Sequence, residues 1–165
     1  MAIVFPSGTL SGPTKVLQIV QDWDGSVDVR TGGTNGTFYQ FGGLSTSITP
    51  SSSSNKVLVI AHLSGYTQYD GGIRISRGGT IVGSNTLASS RPKCIVEFPS
   101  NHRYNETSTN AFVYLDSPNT TSSTTYTIQS LWNGYTQYIN RTGSHDNNNN
   151  DAVTASNLIL MEIAA

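Results

Sequence analysis

Charge is what this sequence has least of. Only 12% of its 165 residues are charged, the net charge is −1, and the nine Lys and Arg residues are scattered from Lys15 to Arg141. A phosphate backbone needs clustered cations, so nucleic acid is not an expected partner. Cysteine is nearly absent too. The single Cys94 excludes an internal disulfide and a cysteine cluster for zinc. No apolar run reaches the ~18 residues of a membrane-crossing helix, so no membrane insertion is expected. The opening MAIVFP lacks the charged start and longer apolar stretch of an export signal.

Helical spacing is also missing: no segment repeats apolar residues at i, i+3, i+4 and i+7 over helical length. What the chain has instead is Ser, Thr and Asn, about a third of all residues. Threonine fits a pleated surface, while serine and asparagine compete with helical backbone hydrogen bonds. Period-two runs bounded by Gly, Asn, Asp, Ser and Pro recur throughout, which predicts an all-β chain. In TTYTIQSLW, Tyr126, Ile128, Ser130 and Trp132 share one face, and Thr125, Thr127 and Gln129 the other. KVLVIAHL is apolar on both faces except at His62, the pattern of a central strand covered on each side.

Further strands are predicted at KVLQIVQ, TFYQF, LSTSIT, GIRIS, TIV, CIVEF, AFVYL and NLILMEI. About ten short strands with turns between them suit an antiparallel β-sandwich, and a jelly roll is its common eight-stranded form. The domain is expected over residues 14–165. Gly78-Gly79, Asn133-Gly134 and Asp70-Gly71 carry the residue types that tight hairpins need. TPSSSSN, DSPNTTSST and HDNNNND read as exposed loops.

One pentapeptide, GYTQY, occurs twice, at residues 65–69 and 134–138. Each copy is predicted to be an aromatic strand beside a turn, the second being the return strand of a hairpin out of TTYTIQSLW. Alternation sets Tyr135, Gln137 and Ile139 on one face and Thr136 with Tyr138 on the other. One tyrosine of each copy packing on the core, with the other at a sheet edge, is the plain reading. Outward tyrosines forming a subunit interface or a sugar platform is the sharper one. Tyr66, Tyr69, Trp132, Tyr135 and Tyr138 are therefore the candidate interface or glycan-binding residues.

Catalytic patterns are sparse. His62, His102 and His145 lie far apart and in no metal-binding motif, so no metal or other cofactor is expected. DNNNND at 146–151 lacks the glycine and glutamate of a calcium-binding loop and reads as a polar loop. DWDG at 22–25 reads as a turn. Cys94, in KCIVEF, is expected to pack as a small apolar residue. There is no GxSxG and no GxxxxGK, and a non-enzymatic role is expected. Four Asn-x-Ser/Thr sequons, at Asn35, Asn105, Asn119 and Asn140, are attributed to the abundance of Asn and Thr.

The N-terminal arm, residues 1–13, opens with an apolar plug, Ile3, Val4 and Phe5, followed by Pro6, Gly8, Gly12 and Pro13. Covered by strand addition on another chain it would be an anchor; otherwise it is a first strand of its own domain.

MAIVFPSGTLSGPTKVLQIVQ, SITPSSSSNKVLVIAHLSG, VYLDSPNTTSSTTYTIQ and NLILMEIAA together resemble small virion proteins of tailed bacteriophages, particularly of marine and cyanobacterial hosts. The resemblance implies a structural, tail-fibre-like or capsid-decorating protein of the virion. It also implies a homotrimeric β-sandwich comparable to fibre-head or tumour-necrosis-factor-like jelly rolls, with other capsid or tail proteins as partners. The arm residues Ile3, Val4, Phe5 and Pro6 are then the virion anchor. A carbohydrate-recognition module at a fibre tip, binding host cell-surface glycan, is the alternative.

Overall fold

A computed structural model describes residues 15–69, 71–84, 90–98, 106–144 and 152–165, with Phe98 described by its backbone alone. The expected anchor residues Ile3, Val4, Phe5 and Pro6 lie outside this set, as do His102, His145 and the 146–151 segment.

The described strands, in chain order, are β1 (Val16–Asp24), β2 (Asp28–Arg30), β3 (Phe38–Ile48), β4 (Lys56–Thr67), β5 (Gly71–Arg77), β6 (Thr80–Val82), β7 (Val96–Phe98), β8 (Ser108–Asp116), β9 (Thr124–Leu131), β10 (Gln137–Ile139) and β11 (Ser156–Ile163). They form two antiparallel sheets. In the first, β1 pairs β11, β11 pairs β4, and β8 takes the other edge of β4. Gly65 pairs with both Ser108 and Ile139, so β10 continues along the β11 edge of β4, with β2 beyond it. In the second, the order is β3, β9, β5, with β6 and β7 sharing the far edge of β5. Early strands thus alternate with late ones in each sheet, the wrapping of a jelly roll.

The period-two reading of TTYTIQSLW holds in the structure. Tyr126, Ile128, Ser130 and Trp132 are buried between the sheets. Tyr126 and Ile128 meet Val57, Val59, Ala61 and Leu63 of β4 and Leu158 and Leu160 of β11 in one core. Each such aliphatic side chain contributes about 1.5–3 kcal/mol on full burial. TFYQF and LSTSIT are a single strand, β3, interrupted by a bulge between Gln40 and Ser45. Gly42, at φ +53°, makes that bulge, and it lets both Phe41 and Leu44 enter the core. The Gly78-Gly79 hairpin is as expected. It joins β5 to β6 with positive φ at both residues, the type I′ geometry.

Four expectations are corrected. YTQYI does not return as a hairpin on β9, because β10 belongs to the other sheet and pairs β4 and β2. Ser130 Oγ and the Leu131 carbonyl instead bond the Gln137 side chain across the crossing. Asp70 lies outside the described residues, but β4 before it and β5 after it belong to different sheets, so no hairpin joins them. DWDG is not a simple turn: β1 continues through Asp24, and its side chains reach the free edge of β3. The Ser45 amide donates to Asp22, the Gly43 amide to Asp24, and Gln18 Nε2 to the Thr49 carbonyl. This side-chain ladder closes one flank of the sandwich and satisfies edge groups that would otherwise invite a further strand.

The fourth correction is TPSSSSN, which is more than an exposed loop. Glu162 of β11 is buried, and its carboxylate accepts bonds from Gln18 Nε2, the Ser51 amide and hydroxyl, and Asn55 Nδ2, at 2.6–2.7 Å. Burial alone would raise its pKa. The bonds from Asn55, Gln18 and Ser51 outweigh burial and lower it to about 2, from an ordinary 4.5. A depressed folded-state pKa stabilises the fold above the unfolded value and is lost as the pH falls. The Glu162 contribution to the unfolding free energy is therefore expected to be constant above about pH 5 and to be lost between about 4.5 and 2. Glu162→Gln should remove most of that acid limb and cost about 1–3 kcal/mol at neutral pH, because it leaves buried donors poorly matched. Denaturant titrations of both proteins across this range check it; an unchanged acid limb in the variant would contradict it.

Candidate functional site

KVLVIAHL is expected to be covered on both faces, and the described residues cover only one. Val57, Val59, Ala61 and Leu63 point into the core, whereas Leu58, Ile60 and His62 are half-buried on the outer face of the first sheet. Cross-strand register extends this surface sideways. One row runs Trp23, Asn157, His62, Ala111; the next Gln21, Ile159, Ile60, Val113; the third Ile19, Met161, Leu58, Leu115. Trp23, Ile19, Val113 and Leu115 are 64%, 59%, 65% and 54% exposed.

These three rows hold no Asp, Glu, Lys or Arg; Lys56 enters only in the row beyond, beside Ile163. With strands about 4.8 Å apart and side chains on one face repeating every ~6.8 Å, four strands by three rows span about 400 Å² in plan. Side-chain relief makes the accessible area larger. A monomer's largest apolar patch is typically ~300–600 Å² and often functional. A sheet face of this extent, with nine apolar residues among twelve and no Asp, Glu, Lys or Arg, has the chemistry of a surface made to be covered. The cause lies in the strand sequences, which are apolar at both parities in β4 and β11 and outwardly apolar in β1 and β8.

The candidate aromatic residues separate into two groups. Trp132 is buried, and its backbone bonds Thr37 and Gly36, so it belongs to the core. Tyr66 is buried and Tyr138 half-buried, directly opposite each other in the β4–β10 register, with ring centroids 5.8 Å apart. The Arg141 guanidinium lies 5.1 Å from the Tyr138 ring centre. Tyr69 and Tyr135 are exposed, with centroids 4.1 Å apart.

The two GYTQY copies therefore pair with each other, antiparallel. Tyr66 meets Tyr138, and continuing the same register sets Tyr69 opposite Tyr135. This pairing gives the two copies a shared place in the fold. Local reading gives each copy as an aromatic strand beside a turn, whereas Tyr69 and Tyr135 lie outside β4 and β10, and it carries no signal that the two meet, because their partnership is non-local.

One other polar cluster was missed. Asp116, read as the start of an exposed loop, is buried, and Arg77 Nη1 reaches both its carboxylate oxygens, at 2.7 and 2.9 Å. Tyr126 Oη donates to it at 2.6 Å. Burial, then the hydrogen bond and charge of Asp116, raise the Tyr126 phenol well above its ordinary pKa and keep it a donor. The cluster ties β5 and β9 of one sheet to β8 of the other.

Cys94 is half-buried just outside β7. Its thiol is pushed up by burial first, against the lowering influence of Arg74, so it is held as a thiol and packs against Gly72. Asn140 is wholly buried, with both its amide atoms bonded within the fold. That sequon is inaccessible on the folded chain.

Neither a protein-family model nor a curated protein matches this chain.

Removing Tyr126 Oη from Asp116 by Tyr126→Phe is expected to cost about 1–2 kcal/mol. Arg77→Met, which strands a buried carboxylate, is expected to cost about 3–5 kcal/mol. Urea unfolding of the two variants checks the order; equal losses would show that the ion pair contributes nothing beyond the hydrogen bond.

Proposed function

We propose that this chain is a non-enzymatic structural protein of a bacteriophage particle. It is a homotrimeric jelly roll that decorates the capsid or forms a short fibre, held to the particle by its N-terminal arm. The observation that carries this reading is the uncharged apolar outer face of the first sheet, which suits a chain whose fold is completed by neighbouring copies. A closed ring hides such a face together with the β1 and β8 edges that border it, and leaves no open end for further addition.

The resemblance of the terminal and central segments to phage virion proteins supplies the setting. Ile3, Val4, Phe5 and Pro6 supply the attachment, by strand addition to a capsid or tail protein. Stability outside a cell then comes from packing and assembly, as a chain with one cysteine requires.

Light scattering on the purified full chain is expected to give three times the 17.7 kDa of one chain. The double variant Ile60→Lys, Val113→Lys is expected to give a single chain with an unchanged β circular dichroism spectrum, because both side chains lie on the outer face. A monomeric parent protein would overturn the assembly. Deleting residues 1–13 is expected to leave the trimer folded but abolish its association with particles. Retention on particles would overturn the anchor.

A further inference from the structure

We infer that the exposed pair Tyr69–Tyr135, two rings in contact and tilted by 40° to each other, is a binding platform for a neutral sugar ring, a role separate from the assembly of the particle. The two GYTQY copies supply four tyrosines, and the fold consumes only two. The Tyr66–Tyr138 pair sits within the β4–β10 ladder, one ring buried and the other half-buried. Tyr69 and Tyr135 lie just past the ends of β4 and β10, where no ladder orders them and little core covers them, at 45% and 42% exposure.

They are nevertheless held. Asn133 Nδ2 donates to the Tyr69 carbonyl at 2.9 Å, while the Tyr135 amide donates to Asn133 Oδ1 at 3.2 Å. One side chain thus clamps the backbones of both tyrosines. Gly134 at φ +90° makes the bend that brings Tyr135 back toward Tyr69, and buried Trp132 anchors the segment from below.

An exposed aromatic pair fixed in this way is pre-organised, so a ligand that stacks on it orders little on binding. Neighbouring residues narrow the ligand class. Gln68, next to Tyr69 in sequence, is exposed, and Thr136, next to Tyr135, is half-buried, so an amide and a hydroxyl adjoin the pair along the chain, while the Asn133 amide is taken up by the clamp. Arg74 and Arg141, the described cations nearest in sequence, are turned onto the Phe38 and Tyr138 rings, at 3.7 and 5.1 Å from their centres. Exposed ring faces complement a pyranose, which has an apolar C–H face and a rim of hydroxyls, and Asp70, next in sequence to Tyr69, disfavours an anionic sugar over a neutral one. A single site of this kind is weak, and several copies on one particle raise its avidity.

The test is retention of the full chain on a panel of immobilised neutral polysaccharides built from glucose, galactose or mannose, with heparin as the anionic control. Retention on at least one neutral polysaccharide is expected, with at least tenfold weaker apparent affinity for Tyr69→Ala, Tyr135→Ala and a smaller loss for the corresponding Phe variants. Far-ultraviolet circular dichroism, the urea unfolding midpoint and mass in solution are measured alongside, and should be close to those of the parent because neither ring is in the core. No retention on any neutral polysaccharide, retention on heparin alone, or equal retention of the double Ala variant overturns the inference. A monomeric mass with intact retention would overturn trimer assembly and leave the platform standing.

Discussion

The first sheet of this jelly roll is apolar on both faces, and a two-layer sandwich can bury only one of them. Val57, Val59, Ala61 and Leu63 satisfy the inner requirement against Ile73, Ile75, Tyr126 and Ile128. Leu58, Ile60, Ile159 and Met161, interleaved with them on the same strands, face away from that core. A strand that is apolar at every position is the usual mark of a sheet packed on both sides. The described residues supply no second layer over that face, and this asymmetry is what supports the proposed assembly.

Polar contacts divide the remaining work. Gln18, Asp22 and Asp24 of β1 close one flank by bonding the edge of β3, and Arg77, Asp116 and Tyr126 join the sheets at the other. Glu162 fastens the end of β11 to the 49–55 connection. All are side chains that a polar, low-charge sequence spends on joining its own elements. The two buried carboxylates, Asp116 and Glu162, are both satisfied, as low-dielectric surroundings demand.

Much of this was legible from residue order, and the limits are physical. Period two identified nearly every strand, since alternation is a local property of a half-buried sheet; only the three-residue β2 was too short to show it. The Gly78-Gly79 turn was readable because positive φ at two successive residues calls for glycine. The crossings at Asp70-Gly71 and Asn133-Gly134 were misread as hairpins because turn chemistry does not say which sheet the next strand joins. The roles of Asp22, Asp24, Asp116 and Glu162 escaped for a similar reason: each partner lies far away in sequence or in a segment that reads as loop. The apolar face itself was half visible, in that KVLVIAHL announced two apolar faces but not that one of them would lack a cover.

The central claim is that the outer face of the first sheet is covered in the working state of the protein. Hydroxyl-radical footprinting of Trp23 and Met161 measures this most directly, with buried Trp132 as the internal reference. Both outer-face residues should be shielded at assembly concentrations and become reactive on dilution, while Trp132 stays protected throughout. Full reactivity of Trp23 and Met161 at every concentration, and on particles, would show the face to be open and contradict the account.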